Sequence, residues 1–281
     1  MRQALALAAA LLSVWAGLAP AARADATLTT LDTLDQSRGW EAVGRLNLGD
    51  RGFCTATLIA PDKVLTAAHC LYDSATGQRF PVDKLQFLAD WRLGRAAAYR
   101  SVRRAVTLPG YSYDARNKLD RVAHDLALVE LDRPIRQLAI RPIAVAGDAK
   151  VGEAVGVVSY ARDRADAPSL QRACHVLDRQ EGLLVLDCSI DFGSSGAPVF
   201  ILRGTAPEIV SVISAKAMAN GKRVALGAEI GRQIASLNAE LASGDRHLVQ
   251  ITTAVTPEAA PAATAYPGAS PGAKFVRPSA P

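Results

Sequence analysis

The chain has 281 residues, of which 49% are apolar and 5% aromatic, and its 32 Lys+Arg against 27 Asp+Glu give a net charge of +5. That length allows one large domain or two small ones with tails, and Val, Leu, Ile and Ala must fill the core. The basic excess is mild and no basic run is interleaved with aromatics, so nucleic acid is not an expected partner.

The first segment reads as a leader. Met1-Arg2 is a short positive start, Ala4 to Leu18 is apolar, Pro20 breaks the run, and Ala22-Arg23-Ala24 has the small-x-small form of a cleavage site. Residues 1–24 are therefore expected to be a signal peptide, removed before Asp25. The run is short for a membrane span, and no later segment is apolar enough to cross a bilayer. The expected mature protein is secreted or periplasmic. Its four cysteines, Cys54, Cys70, Cys174 and Cys188, are an even count in an exported chain and imply disulfides. Of the three possible pairings, spacing favours Cys54–Cys70 and Cys174–Cys188. Each would close a loop of about 15 residues, worth roughly 3 kcal/mol. Metal binding has little support, because there is no Cys-x-x-Cys pair and His69 lacks partners at ligand spacing.

From Trp40 onward, short β-prone runs alternate with turn residues. Examples are Ala42–Leu48, Phe53–Ile59, Lys63–Thr66, Leu85–Ala89, Leu126–Leu131, Ala154–Tyr160, Leu183–Asp187, Ala197–Leu202 and Ile209–Ser214. Many short strands without long helices predict an all-β sandwich or barrel. Glu229–Ala242 differs: Ile230, Ile234, Leu237 and Leu241 recur at helical spacing and predict one C-terminal helix. The last stretch, 255–281, is dominated by Ala and Pro and is expected to remain a disordered tail.

Three local patterns carry chemistry. A hydroxyl is a weak nucleophile and needs a base in reach, a third group to orient that base, and preset donors for the oxyanion. Gly193-Ser194-Ser195-Gly196-Ala197-Pro198 places a serine in a glycine-rich turn between β-prone runs. Val64–Cys70 delivers His69 from a hydrophobic run beside a cysteine. Asp125 opens the apolar run Leu126–Leu131. Each alone is common, and together they are specific. His124, His175 and His247 lack partners at defined spacing, and Asp187 and Asp191 read as turn residues.

Thr66–Cys70 resembles the TAAHC motif of trypsin-like serine peptidases, Asp125–Leu128 their DLAL motif, and Gly193–Pro198 their GDSGGP motif, here GSSGAP. The chain order His, Asp, Ser also separates this family from α/β-hydrolases and subtilisins. The resemblance covers about Trp40 to Gly227. It implies two perpendicular six-stranded antiparallel β-barrels, about 40–145 and 146–228, and does not cover the signal, the tail or the C-terminal helix, which the apolar period places at about 229–242. The peptidase domain would span 25–254. The resemblance also implies a serine endopeptidase acting on polypeptides without a cofactor, with His69, Asp125 and Ser195 as the triad and the N–H groups of Gly193 and Ser195 as the oxyanion hole. Cys54–Cys70 resembles the cystine that braces the His loop. Cys188 is similar in place to that of the bacterial glutamyl-endopeptidase-like branch.

The departures matter as much. Ser194 stands where the animal enzymes carry the Asp that receives a new N-terminal ammonium, so no trypsin-style zymogen switch is expected. Ala197 replaces the second motif glycine, with a methyl that narrows the leaving-group side if it points there. By the resemblance, Ser189 lies at the base of the specificity pocket and is neutral, which offers no attraction for Lys or Arg. Ser214, Ala215 and Lys216 match the strand that pairs with the substrate backbone. Ile213 stands where glutamate-specific relatives have a His. Lys216, near the pocket mouth, either attracts acidic side chains, occludes the pocket or points to solvent. The reading favours uncharged side chains before the scissile bond. The competing readings are an inactive homologue acting as a binding module and an esterase-like hydrolase.

Overall fold

A computed structural model describes residues 28–180, 182–203 and 206–244. The expected signal peptide, the expected tail and His247 lie outside the described residues.

Among the described residues, fourteen strands and two α-helices follow in chain order: β1 (Thr29–Thr30), β2 (Val43–Leu48), β3 (Phe53–Ala60), β4 (Lys63–Thr66), β5 (Leu85–Ala89), β6 (Ala98–Thr107), α1 (Lys118–Ala123), β7 (Ala127–Leu131), β8 (Ala144–Val145), β9 (Ala154–Ala161), β10 (Arg164–Gln180), β11 (Leu183–Leu186), β12 (Pro198–Arg203), β13 (Ala206–Ala219), β14 (Lys222–Glu229) and α2 (Gln233–Ser243). The first barrel closes in the order β2-β3-β4-β7-β6-β5. The second closes in the order β9-β10-β11-β14-β13-β12, with β12 pairing back onto β9. Both are six-stranded and antiparallel. Closure leaves neither ring with an unpaired edge strand, which removes the usual aggregation hazard of a sheet. β1 adds to β10, and β8 runs parallel to β13.

Apolar side chains fill both barrels. Leu46, Leu58, Leu65, Phe87 and Leu128 are fully buried in the first, and Val157, Leu186, Val199 and Val210 in the second. The C-terminal helix begins later than its periodicity predicts. Glu229 still pairs with Ser211 in the sheet, and Ile230 donates its N–H to the Val210 carbonyl. The first turn of the apolar repeat is therefore the end of β14. Leu237 and Leu241 are the buried face of α2, which packs back on β6 and β7 of the first barrel. Lys63 reinforces that return with a 2.8 Å bond to Asn238.

Five strands go beyond the runs named from the sequence: the two-residue β1 and β8, and the longer β6, β10 and β14. β6 contains Arg100, Arg103 and Arg104, and β10 contains Pro168 and five charged residues. Their alternation is broken by register shifts, at Val102/Arg104 in β6 and at three places in β10. Such a shift resets the two-residue period from which a strand is read. Both cystines are formed, Cys54–Cys70 across 16 residues and Cys174–Cys188 across 14.

Candidate active site

His69 lies on a single 3-10 turn, Ala68–Leu71, directly after β4. The next residue, Cys70, is tied to Cys54 on β3, so the turn is anchored covalently beside the imidazole. Asp125 sits between α1 and β7, and only 2% of it is exposed. The short α1 helix is started by Asn117, whose side chain accepts from the N–H groups of Leu119 and Asp120.

The Asp125 carboxylate holds the histidine at two points. Oδ1 accepts the His69 backbone N–H at 2.8 Å, and Oδ2 lies 2.6 Å from His69 Nδ1. The Ser214 hydroxyl donates to the same Oδ2. A carboxylate opposite Nδ1 requires the proton on that nitrogen, which leaves Nε2 as the free base of the neutral ring. Burial of the imidazole opposes its protonation, but the charge and hydrogen bond of Asp125 outweigh it and hold the His69 pKa above the ordinary histidine value. Burial pushes the Asp125 carboxyl up, yet His69, Ser214 and the His69 N–H together bring it below the usual carboxylate range. The pair is thus poised with Asp125 ionised.

Ser195 occupies a turn whose shape depends on two glycines. Gly193 has φ +98° and Gly196 has φ +80°, both in the left-handed region. A Cβ on Gly196 would lie 2.1 Å from the Thr55 carbonyl oxygen and 2.2 Å from Thr66 Oγ1. One on Gly193 would lie 2.6 Å from the Phe53 ring. The turn is thus pressed against β3 and β4 of the first barrel.

Thr55 on β3, fully buried, is the joint. Its N–H lies 3.1 Å from the Gly193 carbonyl and 2.9 Å from the Ser195 carbonyl. Its hydroxyl donates to the Gly193 carbonyl at 2.8 Å and accepts the Tyr160 N–H of β9 at 3.0 Å. Its own carbonyl accepts from Thr66 Oγ1 at 2.9 Å. The Gly193 and Ser195 carbonyls are thereby fixed, and among the described residues their two N–H groups donate to no protein acceptor. Free amides at a serine and two residues before it are donors of the kind an oxyanion requires. Sequence reasoning missed Thr55; nothing in Phe53–Ile59 marks it off from an ordinary strand threonine.

His69 and Ser195 line one cleft, lined from both barrels. Among the described residues no hydrogen bond joins Ser195 Oγ to the imidazole. In ligand-free sites such bonds are often long and tighten only with substrate bound. The cleft has two halves. One, about 420 Å³, is walled by Ile213–Lys216 and Ile190–Phe192. The other, about 440 Å³, is walled by Phe53, the Cys54–Cys70 cystine and Gly193. In the first half β13 pairs with β14 through Ala219, while its pairing with β12 ends at Val212↔Pro198. Ser214–Lys216 therefore present a backbone edge to the cleft, where an extended peptide can add as a strand.

Lys216 reaches across the mouth of that half. Its Nζ lies 2.7 Å from Asp191 Oδ1 and 4.6 Å from the centre of the Phe192 ring. The Asp191 carboxyl is held below its ordinary pKa, first by this bond. Ser189 is exposed and lines an adjoining cavity of about 520 Å³ rather than the one that holds Ser195, with Lys216 and Asp191 standing at the boundary. Its N–H donates to Gln171. The Lys216–Asp191 ion pair, between residues 25 apart in the chain, thus stands between the predicted pocket base and the half that Ser195 lines. Ala197, fully buried, packs in the second barrel's core with Val199 and Ile213, so its methyl does not narrow the leaving-group side.

Ser194 is buried. Its Oγ is within 3.2 Å of Ser159 Oγ, the Tyr160 carbonyl and the Asp191 N–H. His124 bonds to the Asp120 carbonyl and His175 pairs with Asp187, both local contacts away from the cleft. Cys54, His69 and Cys70 cluster closely, but both sulfurs are bonded to each other and offer no thiolate to a metal. A larger cavity, about 560 Å³, lies between α1 and the end of β14. Arg179 there is neutralised by Asp148 at 2.6 Å and Glu229 at 2.5 Å, and the cavity holds no nucleophile–base pair.

Comparison with known proteins gives a consistent picture. Residues 54–206 match the family described as "Trypsin-like peptidase domain". The chain is similar to "Modular serine protease" of Drosophila melanogaster, 35% identical over 99 residues, covering 33% of this chain and 15% of that protein. It is similar to "Serine protease 23" of Bos taurus, 29% identical over 167 residues, covering 53% of this chain and 43% of that protein. It thus spans less than half the length of these relatives. Among solved structures, a Glu endopeptidase in complex with MPD superposes with a TM-score of 0.63 at 18% identity, covering 76% of this chain and 96% of that one. A thermostable serine protease from an extremophilic microorganism gives 0.58 at 19% identity, covering 73% and 98%. At these identities the two structures speak to the fold alone.

Proposed function

The chain belongs to the trypsin-like peptidase family, and on that footing we propose that it is an exported serine endopeptidase working through an acyl-enzyme on Ser195. The observation that carries the reading is the Asp125–His69 pair, bonded at 2.6 Å and opening onto the same cleft as Ser195. In this mechanism the polypeptide substrate lies along Ser214–Lys216, and Ser195 Oγ attacks its carbonyl carbon. His69 Nε2 takes the hydroxyl proton and passes it to the leaving amine, while Asp125 keeps the ring in the required tautomer and stabilises its cation. The N–H groups of Gly193 and Ser195 receive the oxyanion; losing one such donor costs about 3–4 kcal/mol of transition-state stabilisation. Water then releases the acyl group by the same path in reverse. No cofactor enters these steps.

Two cystines and the leader-like N-terminus support export. No helix among the described residues is long and apolar enough to cross a membrane. The side chain of Ser194 is satisfied by three groups already in place around it, which supports an enzyme that matures without a trypsin-style ion pair. Lys216 and Asp191 neutralise each other beside the cleft. This supports uncharged side chains before the scissile bond.

The test is casein hydrolysis and labelling by a fluorophosphonate probe. Wild type is expected to hydrolyse and label. Ser195→Ala and His69→Ala are expected to do neither at a measurable rate. A folded wild type that fails to label, or a Ser195→Ala variant that still cleaves, rejects the assignment in favour of a binding module.

A further inference from the structure

A substrate strand paired with Ser214–Lys216 fills the first half of the cleft, so the chain beyond the scissile bond must enter the second half. That half is cationic. Arg51 and Arg162 line it, and no Asp or Glu does. Arg51 is partly compensated, with Asp73 at 3.5 Å and Asp50 at 3.9 Å. Arg162 has no carboxylate partner among the described residues. Asp163, its neighbour in the chain, lies 4.0 Å from Arg164, and Asp191 in the cleft wall pairs with Lys216.

Arg162 is also held in place. Its backbone N–H donates to the Phe192 carbonyl at 2.7 Å, and its guanidinium lies 4.9 Å from the centre of the Phe192 ring. It lines both halves of the cleft, as Ser195 does. A guanidinium is a planar, permanently charged fork suited to a carboxylate. An unpaired one at the lip of a cleft selects for the opposite charge. At contact distance in water the effect is roughly fivefold, and it grows where the cleft excludes solvent.

We propose that Arg162 is a specificity residue of this enzyme, recognising an Asp or Glu side chain within the first residues after the scissile bond. The proposal rests on the serine-peptidase reading above and adds a substrate preference to it.

The experiment profiles cleavage of a proteome-derived peptide library and then measures kcat/KM on matched quenched peptides carrying Glu, Gln or Lys just after the cleaved bond. Wild type is expected to favour Glu over Lys by about tenfold at low salt, with the ratio shrinking as salt rises. Arg162→Gln is expected to bring the ratio to about one, Arg162→Glu to invert it, and Arg162→Lys to retain most of it. Arg141→Gln removes the same charge from an exposed site outside the cleft lining and should leave the ratio as in wild type. A ratio that is the same in wild type and Arg162→Gln, or a wild-type preference for Lys, overturns the proposal while Ser195-dependent cleavage stands. Cleavage that survives Ser195→Ala, or no cleavage by any variant, removes the peptidase reading and this one with it.

Discussion

Thr55→Val tests whether the joint between the barrels is as described. Valine matches threonine in shape, so no cavity opens and no backbone change is asked for. What disappears is a hydroxyl that donates to the Gly193 carbonyl and accepts the Tyr160 N–H. The Gly193 carbonyl keeps the Thr55 N–H at 3.1 Å. The Tyr160 N–H, by contrast, is left facing a methyl group in a fully buried site. A buried donor stripped of its acceptor costs about 1–3 kcal/mol. We expect a loss of about 2 kcal/mol, or roughly 30-fold in the unfolding equilibrium. The measurement is urea unfolding of Thr55→Val in a Ser195→Ala background, where self-digestion does not interfere, with the midpoint shifting and the slope unchanged. In the active background the fluorophosphonate labelling rate should also fall, because Gly193 is less firmly fixed. Thr55→Ser keeps the hydroxyl, so labelling should stay near wild type while stability drops by about 0.8 kcal/mol for the lost methyl. A valine variant as stable as its parent within 0.5 kcal/mol and labelled at the same rate would show that these bonds do not hold the turn.

The other expectations concern the site directly. His69 must be neutral to act as base and its pKa is raised, so kcat/KM should fall as pH drops through a value above 6.5, the ordinary histidine value; Asp125→Asn should lower both the rate and that midpoint, and an unshifted midpoint would contradict the pairing. Gly196→Ala forces a Cβ to within 2.2 Å of two oxygen atoms at positive φ; strain of about 1–2 kcal/mol and overpacking of about 1–3 kcal/mol add, so thermal unfolding should show a markedly less stable protein with little activity. Lys216→Ala removes the link to Asp191 and opens the first half of the cleft toward Ser189. Library profiling should then show larger side chains accepted before the scissile bond, and an unchanged profile would mean that the pair does not limit the pocket.

The chemistry-bearing residues could be read from the chain because each sits in a short local pattern: a histidine after a hydrophobic run and beside a cystine, an aspartate opening a strand, a serine between glycines. The short apolar strands and the buried face of α2 were legible for the same reason, since burial imposes a period on neighbouring residues. The charged strand β6 and the long strand β10 were not, because register shifts and arginines erase that period even though barrel closure still requires the strands. Only the tertiary structure decided which distant groups meet. Thr55 reaches Gly193 and Tyr160, Ser214 reaches Asp125, and Lys216 takes Asp191 and so stands between Ser189 and the half that Ser195 lines. The Thr55 and Ser214 contacts arise when two closed barrels dock, and the Lys216–Asp191 pair when β13 folds against the turn before Ser195 within the second barrel. A hydrogen bond between residues a hundred positions apart depends on the relative placement of whole strands, and no local pattern encodes that placement.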